Sequence, residues 1–179
     1  KAKENAILGA YYSFNSEIYR VVDDALLRAL VADDQDLSKL VTTRVTDLNN
    51  LFAATTVNFD ITSWDVSNMT DISGLFKRVS SFNQDIGLWD VSKVTNMKGL
   101  FYQANSFNQD LSAWNTSAVT YMSEMFYNAD AFNQDLSTWD TSAVTSMSYM
   151  FSYASSFNQE LSTWDTSAVT DMGSMFLYA

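Results

Sequence analysis

A chain of 179 residues, 47% apolar and carrying a net charge of −11, can bury one core and is too apolar to remain disordered. It has no Cys, which excludes disulfides and thiolate metal sites, and no His, which removes the commonest general base and metal ligand. All ten Lys and Arg lie at or before Lys98, and eight acidic residues follow without a basic one, so this surface repels nucleic acid and anionic lipid.

Residues 1–36 do not repeat. Ile18, Val21, Val22, Ala25, Leu26, Ala29 and Leu30 recur at the i, i+3, i+4, i+7 spacing of an amphipathic helix, with Ser16 as N-cap and Asp33, Asp34 and Asp36 at its exit. This helix is read as a cap over the first coil of a repeat array that occupies 37–179. The array opens in degraded form. Leu37, Leu40, Val45, Leu48, Leu51 and Phe52 hold repeat positions, but sit one place out of step with the later register. Leu40 stands where Trp belongs, and Val57 stands where Phe belongs.

The later register is strict. Trp64, Trp89, Trp114, Trp139 and Trp164 are evenly spaced, and their interval sets the length of one coil. Around each returns the text Phe-Asn-Gln-Asp-Leu-Ser-x-Trp-Asp-Thr-Ser-x-Val-Thr-x-Met-x-x-Met-Phe, with local substitutions. Met147, Met150, Phe151 and Ala154 mark one face of a short helix with Thr145 as N-cap. Leu161–Asp165 reads as a short strand between turns. The expected fold is an α/β repeat solenoid, leucine-rich-repeat-like, with one strand and one helix per coil. Strands stack about 4.8 Å apart and helices about 8–10 Å apart, so two regular layers would curve the array. The sequence stops at Ala179 halfway through a repeat, which predicts further repeats or a covering partner chain there.

Stacked coils place identical side chains in rows, the five Trp among them. Asn83, Asn108, Asn133 and Asn158, each followed by Gln, are expected to form amide ladders. Asp85, Asp110, Asp135 and Glu160 form an acidic row, and Asp65, Asp90, Asp140 and Asp165 another, with Asn115 in the middle. The Ser and Thr that follow favour local turn capping. Ca²⁺ is the one cofactor the first acidic row would admit, but no D-x-D-x-D-G loop accompanies it. Tyr102, Tyr121, Tyr127, Tyr149, Tyr153 and Tyr178, with Glu124 and Asp171, vary between repeats and mark the expected binding surface. Carboxylate pairs such as Asp135 and Asp140 recur in every coil, whereas an active site should be singular, so no catalytic residue is assigned.

The repeat unit resembles that of bacterial surface proteins, found in mycoplasma lipoproteins and BspA-like proteins, over about residues 37–179. The resemblance implies an extracellular or cell-surface protein without enzymatic activity, binding a protein or glycan partner in adhesion. The alternative is a structural subunit within a larger assembly or filament. No stretch is long and apolar enough to span a membrane, and no lipobox Cys supports an anchor.

Overall fold

The computed structural model describes residues 6–56 and 60–179; Val57, expected in place of a repeat Phe, lies outside them. Among the described residues there are three strands, β1 (Tyr11–Phe14), β2 (Glu17–Val21) and β3 (Leu40–Val41), and one helix, α1 (Asp24–Ala32). The strands form one sheet in the order β1-β2-β3, antiparallel between β1 and β2 and parallel between β2 and β3.

The helix expected from Ile18 to Leu30 therefore begins later. Glu17–Val21 takes the extended form that its alternating, partly β-branched sequence also permits. Asn15 and Ser16 both have left-handed φ, 48° and 66°, as a two-residue hairpin loop requires, so Ser16 turns the chain and caps nothing. The true N-cap is Asp23, whose side chain accepts the Leu26 N–H at 2.9 Å. Leu27 is the fully buried helix residue, and Leu26, Leu30 and Val31 pack partly against the core.

From there the repeats stack one on the next. Isolated parallel bridges join Asp47 to Asp71, then Asn96, Tyr121, Ser146 and Asp171, one contact per coil. Within the repeats neither expected element forms. Met147–Ala154 and Leu161–Asp165 are both built from turns. The leucine-rich-repeat-like α/β solenoid, with a helix and strand in each coil, is thus overturned: the described residues are mostly turns, with one short helix and one small open sheet.

The backbone bonding explains why. In residues 97–104 the N–H groups of Leu100, Tyr102 and Ala104 donate to the carbonyls three residues back, at 3.0–3.1 Å. The N–H groups of Met97, Gly99, Phe101 and Gln103 donate instead to Tyr121, Ser123, Met125 and Tyr127 of the next coil, at 2.7–2.9 Å. Donors thus alternate between the segment itself and its neighbour in the stack. A helix would keep all of them within itself and hold its neighbour about 8–10 Å away. The Phe rows here are much closer: Phe101–Phe126 and Phe126–Phe151 centroids are each 5.5 Å apart. Only a turn backbone fits that spacing. Two left-handed residues per coil accomplish it, such as Glu124 (φ 59°) and Asn128 (φ 51°), or Tyr149 (φ 56°) and Tyr153 (φ 60°). Without a helical layer, the expected cause of curvature is removed.

The core positions read from the sequence hold although the helix does not. Met147, Met150, Phe151 and Ala154 are all fully buried. Trp64, Trp89, Trp114 and Trp139 are buried as well, and Trp164 is partly so. Each donates its indole N–H to a carbonyl of the preceding coil: Trp64 to Leu37 at 3.2 Å, Trp89 to Ile61 at 3.3 Å, Trp114 to Ile86 at 3.1 Å. Trp139 and Trp164 continue the row, bonding Leu111 and Leu136, both at 3.0 Å. Trp89 also packs against Phe76 of the preceding coil, with ring centroids 6.2 Å apart.

The start of the stack is sealed by a carboxylate. In later coils the N–H groups of Thr95 and Asn96 both donate to the Thr70 carbonyl, at 2.9 and 3.4 Å, and the Thr95 hydroxyl joins them at 3.2 Å. Thr120 and Tyr121 repeat this on the Thr95 carbonyl. The equivalent first-coil groups, the N–H of Thr46 and of Asp47, donate to Asp24 Oδ1 at 2.8 and 3.1 Å, and the Thr46 hydroxyl donates to Oδ2 at 3.0 Å. Helix α1 thus supplies, through Asp24, the acceptor that a preceding coil would have provided.

Candidate functional site

The expected tyrosines fall into one row and two isolated positions. Tyr102 and Tyr127 occupy the sixth position of the segments 97–104 and 122–129, and their rings stack at 4.6 Å with planes 5° apart. The row passes to Tyr153 at 5.6 Å, edge to face, and to Tyr178 at 5.1 Å. Tyr153 and Tyr178 hold the seventh position, where φ is left-handed, so the row steps sideways by one residue as it runs along the stack. Tyr121, at the bridge position, and Tyr149, at the third position, are exposed but lie outside this row.

Lys77 occupies the same repeat position as Tyr102 and Tyr127, and its Nζ lies 4.7 Å above the Tyr102 ring, closing the row with a cation. It also lines a shallow polar groove of about 210 Å³, together with Asn49, Ser73, Lys98 and Glu124. Lys98 Nζ stands 3.6 Å from the Glu124 carboxylate. Sequence reasoning included Glu124 but missed both lysines; the available signal was that Lys77 and Lys98 share repeat positions with Tyr and Ser of later coils. Asp171 is apart from the groove. Its carboxylate accepts the Gly173 N–H at 2.9 Å, and its carbonyl accepts the Met147 N–H.

The Asn ladder forms, on the exposed side of the coil rather than in its interior. Asn83 Oδ1 accepts the Asn108 N–H and the Gln109 amide, both at 3.0 Å. Asn108 and Asn133 do the same for Asn133 with Gln134 and for Asn158 with Gln159. Each side chain thus binds the next coil's backbone and side chain together.

The acidic rows act as turn caps. Asp85, Asp110 and Asp135 accept the N–H two residues on, from Gly87, Ser112 and Ser137. Asp140 takes both the hydroxyl and the N–H of Ser142, and Asn115 does the same for Ser117. These bonds hold the carboxyls of Asp110 and Asp135 below the ordinary value, first through the backbone N–H of Ser112 and Ser137 and then through their hydroxyls. At Asp140 the Ser142 hydroxyl is the larger cause. Among the described residues no three acidic side chains converge as a metal site, and the row Asp85, Asp110, Asp135, Glu160 is spread along the stack, one carboxylate per coil. Nor is any described helix long and apolar enough to cross a membrane.

Comparison with known proteins matches the chain to a family model described as "Mycoplasma protein of unknown function, DUF285", over residues 24–128 and 108–179. No curated protein and no solved structure matches the chain. The two matched stretches overlap, run from α1 to the last coil, and leave out the β1–β2 hairpin. The chain, from its Asp24 seal to Ala179, belongs to the DUF285 family.

Proposed function

We propose that this chain is a non-enzymatic binding module, displayed at the cell surface, that offers the tyrosine row to a protein or glycan partner. The observation that carries the reading is the continuous row Tyr102, Tyr127, Tyr153 and Tyr178, with Lys77 at one end and the polar groove beside it. The stacked rings are ordered before any partner arrives, so little side-chain entropy is lost on contact. Their edges and hydroxyls, rather than their stacked faces, meet the partner. The resemblance of the repeat to those of bacterial surface proteins supports display outside the cell and a role in adhesion.

The test uses substitutions that the repeat itself already contains. Ser152 occupies the position of Tyr127, and Asn128 occupies that of Tyr153 with the same left-handed φ. The double variant Tyr127→Ser, Tyr153→Asn should therefore fold normally. Labelled chain is applied to cultured epithelial cells, untreated or stripped with trypsin or with glycosidases. The wild type is expected to bind, the double variant to lose at least tenfold, and the sensitive treatment to name the partner class. Equal binding by both chains would remove the tyrosine row from function.

A further inference from the structure

Among the described residues strand β1 is an outer strand of the sheet, and none of the devices that normally protect an edge accompanies it. Ile7–Ser16 contains no charged residue and no Pro, in a chain of net charge −11. Natural edges are usually guarded by Lys, Pro or a bulge. Around this edge Ile7, Tyr11, Phe14 and Ile18 are each 60–68% exposed. The family match begins at residue 24, so this edge is a feature of the chain outside the shared repeat.

The hairpin register determines what the edge offers. Phe14 pairs with Glu17 across a two-residue loop, and Tyr12 pairs with Tyr19, so the N–H and C=O of Tyr12 and Phe14 point inward to β2. Consistently, Val21 N–H donates to the Ala10 carbonyl at 3.1 Å and Gly9 N–H to the Val21 carbonyl at 2.9 Å. Tyr11 and Ser13 lie opposite Arg20 and Ile18 in the alternate, unbonded pairs, so their N–H and C=O point outward. Of the described residues before β1, Ala6 is buried and its carbonyl accepts from Arg44, in the turn after β3, at 2.8 Å.

We propose that β1 pairs antiparallel with β1 of a second copy of this chain, about a twofold axis through Tyr12. In that register Tyr11 of each copy exchanges two backbone bonds with Ser13 of the other, and the two three-stranded sheets become one of six strands. The pairing is self-complementary, as an isologous interface requires, and brings no like charges together within β1. It also shields the exposed Tyr11, Tyr12 and Phe14 side chains. Tyr12 meets its own copy in an unbonded pair, where Cα atoms lie about 4.5 Å apart, within reach of a disulfide.

The experiment uses the full chain, which has no Cys of its own. Sedimentation at rising concentration should show a species of twice 20.1 kDa. Ser13→Lys, which places a charge on the edge without removing a β1–β2 bond, should return it to monomer and keep the melting temperature that the wild type shows at concentrations too low to dimerise. Independently, Tyr12→Cys should crosslink to dimer under mild oxidation, whereas Phe14→Cys, which meets Ala10 of the other copy, should not. A wild type that stays monomeric up to about 100 µM overturns the proposal. So does a dimer that persists in Ser13→Lys, or equal crosslinking at both Cys positions. Capture of the wild type by neutral phosphatidylcholine vesicles, abolished by Ser13→Lys, would instead assign the edge to a membrane and overturn it.

Discussion

Trp139 illustrates how one side chain serves two neighbours. Its ring is 3% exposed, lies 6.3 Å from Trp114 and 6.4 Å from Trp164 with nearly parallel planes, and its N–H is bound to the Leu111 carbonyl. Truncation removes the packing of both faces and one of that carbonyl's two donors, the Trp114 N–H at 3.1 Å being the other. Trp139→Ala should lower the unfolding free energy by about 3–5 kcal/mol in urea titrations. A loss below about 1 kcal/mol would show that the row can collapse around the gap. These contacts were legible in the sequence, because Trp, Phe and Met return at one fixed interval and so must meet their own copies.

At the level of the element, the same spacing misled. Apolar residues at i, i+3, i+4 and i+7 line one side of a helix, but a chain of overlapping turns buries the same residues. What decides between them is the distance to the next coil, which hydrophobic spacing does not contain. Gly74 and Gly99, both left-handed at the third position of their segments, were the only local hints against a helix. The N-terminal region failed in another way. Glu17–Val22 satisfies both a period of 2 and one of 3.6, and Asn15-Ser16 is a weaker hairpin signal than Asn-Gly. The bonds that Asp24 makes to the first coil were not legible, because Asp24 reads simply as a first-turn acid of a helix. Asp24→Ala removes the partner of Thr46 and Asp47 and should cost about 1–3 kcal/mol. Hydrogen exchange should show the loss first at Thr46 and Asp47, while the amides of Thr120 and Tyr121 stay protected. Uniform loss along the chain would mean the stack has no separately sealed end.

Taken as one body, the stack carries its carboxylates as a ladder of turn acceptors. Their lowered folded values give a signed pH dependence. For Asp110, Asp135, Asp140 and Asp165 the ionised form is the bonded one, so the stabilisation is fully present above the ordinary value of 3.8. It is lost as pH falls through the depressed folded values. Melting temperature should therefore be flat from neutral pH down to about 5 and fall below about 4. Changing Asp140 to Asn, the residue already present at Asn115, keeps the turn acceptor and removes the titration, and should flatten the acid limb slightly. A melting temperature that rises on acidification would mean that relief of repulsion among the carboxylates outweighs their hydrogen bonds.

The Thr46, Thr70, Thr95, Thr120 and Thr145 carbonyls hand the same acceptor from coil to coil, and Asp24 hands it to the first. A relay of this kind has a marked beginning and an interchangeable middle. In-frame duplication or excision of one whole repeat would rejoin identical donors to identical acceptors and leave no scar. Length then becomes a quantity that a genome can change in whole units of about 5 Å, the order of the strand and ring spacings, without redesigning a single contact. Natural variation in such a chain should therefore appear first as a different number of coils, and its reach should be countable in tryptophans.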